Sequence, residues 1–493
     1  MDIKEERIRI LFGLKVRQFR IEKGLSQNEL SRLCGLSVSY LNEIEKGKKY
    51  PKANKMIQLA GALDMTFEQL VTLKTTKELG LVGEVLNAPI WEELPLETFG
   101  LELGRIVELV AMAPNRANAF ISTLIDILRR HSVTRAEFNM IAVRSYLELQ
   151  GNYFEDIEVK AAEFLEVHAL QDVPLYPEQL ENILSEKFHY LVSPIDTIEY
   201  PELSALRSVY IPGTQRRLFL QPKLENHQRT FIFGRELGFA SLNIAKRPFT
   251  FSWIKVTSFE EMLNNALASY FSGALILPEK KLAADIAGFL GRERWDSNLL
   301  VETMKKYTLS PETFLYRLTN LLPKHFGIDS LFFLRFNKEK GVDRFKMDKE
   351  LHLARLHNPH SKASEDHFCR RWISLSVIKE IERTGTSDYV ADAQVSIYPN
   401  GNRYFVFTIA KVTENPDVVS SYSIGLAWDK GLLARIGFSR DRNIRQVYVG
   451  ESCESCPILD CKVRKAPPLH AMKRREIEQI EGGLARLAED SAG

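Results

Sequence analysis

The stretch "KGLSQNELSRLCGLSVSYLNEIEKGKKYP" (23–51) leaves a chain little conformational freedom. Leu14, Val16, Phe19 and Arg20 mark a first helix that stops at Gly24. Ser26, with Glu29 three residues on, makes a capping box: hydroxyl and carboxylate each satisfy a backbone N–H that a first helical turn leaves open. A second helix is therefore expected over "QNELSRLC", ending at Gly35, which takes the left-handed turn that a β-carbon disfavours. Ser37 then caps a third helix, "VSYLNEIEKG". Leu41 and Ile44 turn inward at helical spacing and leave Val38, Ser39, Asn42 and Glu43 outside. Two more helices are expected near 52–63 and 66–74. Two short helices about a tight glycine turn, inside a five-helix bundle, make a helix-turn-helix unit.

The rest of the chain must form other domains, because 493 residues are too many for one core. The net charge of +2 is nearly neutral, yet residues 1–75 carry 14 Lys/Arg against 9 Asp/Glu. That imbalance fits a small nucleic-acid-binding head on a neutral body. The opening "MDIKEERIRI" has no apolar core of the signal-peptide kind, and no apolar run reaches the roughly 20 residues that span a bilayer. A cytoplasmic protein with no membrane partner is expected, in which thiols stay reduced.

The head resembles the lambda-repressor/Cro-like (XRE) family over about 65 residues. Gln27, the Glu29–Leu30 pair, Gly35 and the exit "IEKGKKYP" carry the likeness. The resemblance implies that the third helix lies in the major groove of a double-stranded DNA operator. Val38, Ser39, Asn42 and Glu43 would face base edges, and Gln27, Tyr40, Lys46, Lys48 and Lys49 would hold phosphates. Such heads bind as dimers on two half-sites, so a homodimer or homotetramer is expected. The stretch 96–168, apolar at threes and fours, is a candidate for the dimer contacts; it reads equally well as the helical start of the next domain. The plainer reading of the head itself is a bundle that makes only protein contacts.

"RTFIFGRELGFASLNI" (229–244) has the outline of a zinc-binding helix without the ligands. Where H-E-x-x-H would stand, the chain has Arg235, Glu236, Leu237, Gly238 and Phe239. The surroundings, and "FEEMLNNALASYFSGALILPEKKL" (259–282), resemble the ImmA/IrrE-type metallopeptidase-like domain. That family's acidic third ligand would fall just before Ala268, where Asn264, Asn265, Ala266 and Leu267 stand. Arginine and phenylalanine offer zinc no lone pair, so a retained fold without hydrolase activity is expected. Glu236 would pair with Arg235 or another cation.

From about 330 the pattern turns to β: "SLFFLRFN", "AQVSIYPNGNRYFVFTIAKV", "SYSIGLAWDKGLLARIGF" and "RQVYVG", with turns at "PNGN" and "WDKG". "KRREIEQIEGGLARLAED" reads as an exposed helix. Between them lies "ESCESCPILDCKVRKAPP", where Cys453, Cys456 and Cys461 form C-x2-C-x4-C. Cys369 is the best fourth ligand, with His367 and His470 as alternatives; Cys34 reads as a small buried apolar residue. Zinc, an iron–sulfur cluster, and unmetallated thiols or a redox disulfide all suit the spacing.

Taken together, the XRE head, the degenerate middle, "NYFEDIE", "HFCRRW" and the cysteine tail resemble the short-chain fatty acyl transcriptional regulators. The resemblance implies control of propionate or acetate metabolism, a short-chain acyl-CoA effector, and an iron–sulfur cluster at the matching cysteines, with zinc as the alternative. Arg370, Arg371 and Trp372 are candidates for the acyl-CoA site. The expected fold class is multidomain α+β. A lambda-repressor-like helix-turn-helix spans 1–76, and a helical connector for dimerisation 77–165. A degenerate zincin-like domain follows at 166–328, then a mixed α/β sensor domain at 329–493. The expected protein is a regulator and not an enzyme; the rivals are a repressor-cleaving peptidase and a partner-binding adaptor.

Overall fold

The computed structural model describes residues 3–72, 135–248, 258–353 and 367–492. The part of the expected connector before residue 135 lies outside them. The chain divides into two compact units, 1–143 with 256–262, and 144–255 with 263–493. The expected boundary at 328/329 falls inside the second unit.

The first unit contains the head: α1 (Ile3–Glu22), α2 (Gln27–Cys34), α3 (Val38–Glu45), α4 (Ala53–Ala62) and α5 (Phe67–Val71). Phe12, Val16, Leu30, Leu41, Ile44, Leu59 and Leu70 fill its core, and Cys34 lies among them as a buried free thiol. The Ser26–Glu29 capping box forms, and Gly35 takes φ 68°. The Arg20 guanidinium grips the buried Glu45 carboxylate at 2.6 and 3.0 Å, fastening α1 to the end of α3.

Helix α6 (Arg135–Leu149), whose residues from 144 on belong to the second unit, leads into α7 (Glu155–Val167) and α8 (Pro177–Phe188). Strands β1 (Tyr190–Pro194), β2 (Ser208–Ile211) and β3 (Arg216–Leu220) form a small sheet in the order β1–β3–β2. Helix α9 (Asn226–Ser241) carries the degenerate motif, and α10 (Phe259–Ile276) runs beside it. A β-carbon at Gly238 would stand 2.8 Å from the Ala268 carbonyl oxygen, so the absence of a side chain there lets the two helices cross closely. Ile157, Phe164, Leu180, Leu218, Phe233, Leu237 and Phe271 make the core around this sheet.

Three further helices follow: α11 (Glu279–Leu290), α12 (Ser297–Lys305) and α13 (Pro311–Phe326). Then come β4 (Leu331–Glu339), β5 (Lys346–His352), α14 (Ile373–Thr384), β6 (Val390–Ile397), β7 (Arg403–Val412) and β8 (Val418–Ala427). A single turn α15 (Lys430–Leu433), β9 (Arg445–Tyr448) and α16 (Leu469–Ala492) complete the chain. The large sheet has the order β5–β4–β8–β7–β6–β9, antiparallel except for the β6–β9 pair. Successive side chains of a strand point to opposite faces. Phe333, Phe405 and Phe407 accordingly meet α11–α13, while Phe332, Tyr404 and Val406 meet α14. Both faces are covered, which is why the central strands read as nearly continuous apolar runs. The protein is thus an all-helical head followed by mixed α and β structure, as the sequence indicates.

The two cores of the second unit are tied by a buried ion pair. Arg317 on α13 donates to both oxygens of Glu158 on α7, at 2.5 and 2.7 Å, and to the Leu277 carbonyl at 3.1 Å. The Tyr270 hydroxyl of α10 donates to the same carboxylate at 2.5 Å. Glu158→Gln would leave a buried guanidinium without its counter-charge, a loss of about 3–5 kcal/mol. Denaturant unfolding of the full chain should show the second unit melting at distinctly lower urea.

Candidate nucleic-acid interface and cysteine site

On α3, Val38 and Ser39 are exposed and Asn42 and Glu43 half-exposed, while Leu41 and Ile44 are buried. The four outer residues expected at base edges therefore share one accessible face. Lys46, Lys48 and Lys49 leave α3 fully exposed, and no ion pair holds any of them among the described residues. Tyr40 is half-buried, with the Lys55 ammonium 4.2 Å from its ring centroid. Gln27 differs from a free phosphate donor, since its amide donates to Glu45 at 2.8 Å and joins the Arg20–Glu45 pair. Sequence reading missed Lys52 and Lys55. Lys52 is the N-cap of α4, no side chain caps that helix, and Lys55 lies in its first turn. Cations oppose the helix dipole there, so two lysines at an N-terminus were a readable signal of a nearby anion.

In the middle domain the Glu236 carboxylate is fully buried and held by two guanidiniums. Arg247 reaches it at 2.6 and 2.8 Å and Arg235 at 3.3 Å. Arg247 also stacks 3.8 Å from the ring centroids of both Tyr210 and Phe239. Arg235 donates to Ser208 of β2 at 3.1 Å. The Asn264 amide donates to the carbonyl of Lys246 at 2.7 Å and so steadies the segment that carries Arg247. Burial alone would raise the Glu236 pKa, but the two arginines hold it below the ordinary carboxylate value. Arg247, absent from the sequence reading, lies outside the motif and joins it only through the fold.

The cysteines come from two chain segments paired at the edge of the large sheet. Phe368 and Ser452 form a β-bridge; Cys369 N–H donates to the Glu451 carbonyl at 3.1 Å and Cys453 N–H to the His367 carbonyl at 2.7 Å. Cys369, Cys453 and Cys456 are buried and Cys461 is half-buried; all are free thiols. Burial pushes the Cys369 thiol up to about 11, and Cys456 and Cys453 stand close enough to add to the shift. The sulfurs have backbone donors: Gly450 N–H to Cys369 and Lys465 N–H to Cys453, both at 3.3 Å. A β-carbon at Gly450 would come 2.9 Å from the Cys456 sulfur, so glycine keeps this cradle open. Arg464 organises the loop, donating to the carbonyls of Cys453, Cys456, Ile458 and Ala466. Sequence reading placed Arg464 in the motif and gave it no role.

The alternative ligands are otherwise engaged or exposed. The His367 ring meets Glu454 at 2.8 Å, and His470 is exposed. The side chains suggested for an acyl-CoA are also engaged within the fold. Arg370 is buried with Asp343 at 3.3 Å, Trp372 is buried with its indole N–H on the Gly450 carbonyl, and Arg371 reaches the Tyr448 carbonyl at 3.3 Å. Among the described residues, Glu225, His227 and Glu414 are the group whose ligand atoms all lie within 4.8 Å of one another, and it contains no cysteine.

The head thus has the form of a DNA-reading module. The helix-turn-helix family model matches residues 16–70. A Sinorhizobium fredii protein described as the uncharacterized HTH-type transcriptional regulator y4dJ is 37% identical over 65 residues, 13% of this chain and 84% of that one. Over nearly the full length, the chain is similar to the propionyl-CoA carboxylase regulator of Cereibacter sphaeroides, with 22% identity across 96% of this chain and 97% of that protein. It is likewise 22% identical to the HTH-type transcriptional regulator PrpR of Mycobacterium tuberculosis, across 94% of this chain and 92% of the other. The chain belongs to the helix-turn-helix family of transcriptional regulators, and these relatives are named as regulators, not enzymes. No described helix is long and apolar enough to cross a membrane.

Glu236→Gln should weaken the fold by about 3–5 kcal/mol, because it leaves two buried guanidiniums unneutralised. The pKa of Glu236 is lower folded than unfolded, so its contribution is complete above the ordinary value near 4.5 and vanishes as pH falls through the folded value. Urea melts at pH 7 and at progressively lower pH should show wild type converging on the variant in acid.

Proposed function

We propose that this regulator reads a DNA operator in the cytoplasm by laying α3 in the major groove. The observation that carries the reading is the accessible face of Val38, Ser39, Asn42 and Glu43, with Lys46, Lys48 and Lys49 unpaired at its rim. Side chains at base edges give sequence preference, while ammonium groups on phosphates give affinity without preference. Lys52 and Lys55 at the uncapped start of α4 extend the phosphate-holding set. Asn42→Ala should cost about 1–3 kcal/mol on the preferred site and relax preference at one base position. Lys48→Ala should weaken binding to all sequences and reduce the slope of log affinity against log salt by about one. Fluorescence anisotropy on specific and scrambled duplexes across a salt series separates the two; equal loss of preference from both variants contradicts the assignment.

The metabolic reading follows the names of the full-length relatives. One is a propionyl-CoA carboxylase regulator, which supports a role in short-chain fatty acid metabolism; an acyl-CoA effector is the ligand proposed with that role. Effector binding would act by favouring one of two states of the protein that differ in affinity for DNA. On the metallopeptidase-like reading of the middle domain, its reactive position would be closed: Arg247 and Arg235 neutralise Glu236, and Phe239 serves as a stacking surface.

The cysteine site suits a thiolate-bound group. Cys369, Cys453, Cys456 and Cys461 would hold it. Backbone N–H groups of Gly450 and Lys465 already donate to two of the sulfurs, and Arg464 holds the loop that presents Cys453 and Cys456. An iron–sulfur cluster is the group that the resemblance to the short-chain fatty acyl regulators implies for these four cysteines, with zinc as the alternative. When bound, such a cluster supplies one-electron redox chemistry. Protein purified without oxygen should show a visible charge-transfer absorption and contain iron and sulfide, and Cys453→Ser should lose both. A colourless protein with stoichiometric zinc would replace the cluster with a structural ion.

A further inference from the structure

Helix α16 is tied at its start, where the His470 and Ala471 N–H groups donate to the Glu454 carbonyl, and exposes most of its side chains beyond that. Of Leu469–Leu487, Ala471 alone is buried, while Ile477, Ile480 and Leu484 are 47, 57 and 60% exposed. Their spacing of three and four repeats the a and d positions of a heptad, and Leu487 continues it in the sequence. A helix of 24 residues with adjacent glycines at 482 and 483 is marginal alone in water and gains its stability from covering such a stripe.

The geometry points to a second copy of this chain as the occupant, with the two α16 helices antiparallel. The charges beside the stripe select both partner and direction. Arg474 and Glu481 occupy the same flanking position one heptad apart, and neither is paired within the chain among the described residues. If Ile477 of one copy packs on Ile480 of the other, antiparallel pairing sets Arg474 beside the partner's Glu481, and the two-fold axis repeats the contact. A parallel pair would instead bring Glu476 against the partner's Glu481, like charge on like. In the antiparallel register Lys473 meets the partner's Leu484, where its aliphatic stem can cover the leucine while the ammonium turns to water. This surface goes beyond the regulator reading and does not depend on which DNA the head binds. It supplies a contact between copies that is independent of the expected one within 77–165.

The test uses the full chain, combining sedimentation velocity with hydrogen exchange of the 473–487 amides over a dilution series. The expected result is exchange that slows at least about tenfold as concentration rises, in step with self-association. Arg474→Glu should raise the dissociation constant of this contact about tenfold by setting Glu against Glu, and Arg474→Glu with Glu481→Arg should restore it. Arg474 is exposed and has no ion pair or side-chain hydrogen bond among the described residues, so the single variant keeps the fold. Protection that ignores concentration would mean that another segment of the same chain covers the stripe, and would overturn the proposal. So would unprotected amides at every concentration, or an Arg474→Glu variant that associates as wild type does. None of these outcomes bears on DNA binding, which anisotropy measures separately.

Discussion

The second unit is organised around a charge that has nowhere else to go. Arg317 is buried to 1% exposure, and a guanidinium in that setting is tolerable only with a carboxylate in full contact. Glu158 meets that need from another helix, and Tyr270 closes the same carboxylate from a third. The requirement fixes α7, α10 and α13 relative to one another. Since α13 also lies on the large sheet and α7 on the small-sheet core, the two layers cannot shift independently. The same logic recurs at Glu236, where two arginines and a carboxylate close what would otherwise be a polar cavity.

What could be read from the sequence was what depends on neighbours along the chain. The Ser26–Glu29 box, the Gly35 stop and the inward pair Leu41 and Ile44 are local, and the head appears as they require. The strands β4, β6, β7 and β8 were legible because aromatic and branched residues crowd them, as was the exposed α16. Strand β5, "KMDKELH", gave no such signal: it is an edge strand whose charges guard against further pairing, and only its last two residues are buried. Arg247 was illegible for a different reason. It acts on residues that the fold, not the sequence, brings close. Arg370 and Trp372 likewise have partners from distant parts of the chain, Asp343 and the Gly450 carbonyl.

The cysteine segment is continuous with the large sheet. Strand β9 pairs with β6, Val449 N–H donates to the Ile397 carbonyl, and Cys369 and Trp372 belong to the core under α14. A displacement at the thiols is therefore transmitted to the sheet edge and to α14, because close-packed interiors deform little. That gives the region a mechanical route into the body of the protein, without a flexible hinge between.

Arg464 has one more consequence. Many small metal-binding modules are ordered only by their metal and collapse when a chelator removes it. Here the loop from Cys453 to Ala466 is laced by a guanidinium to four carbonyls, and its base is stitched to the sheet. The loop is therefore held by hydrogen bonds that need no thiol, so replacing a single cysteine removes a sulfur without removing the frame that presents it.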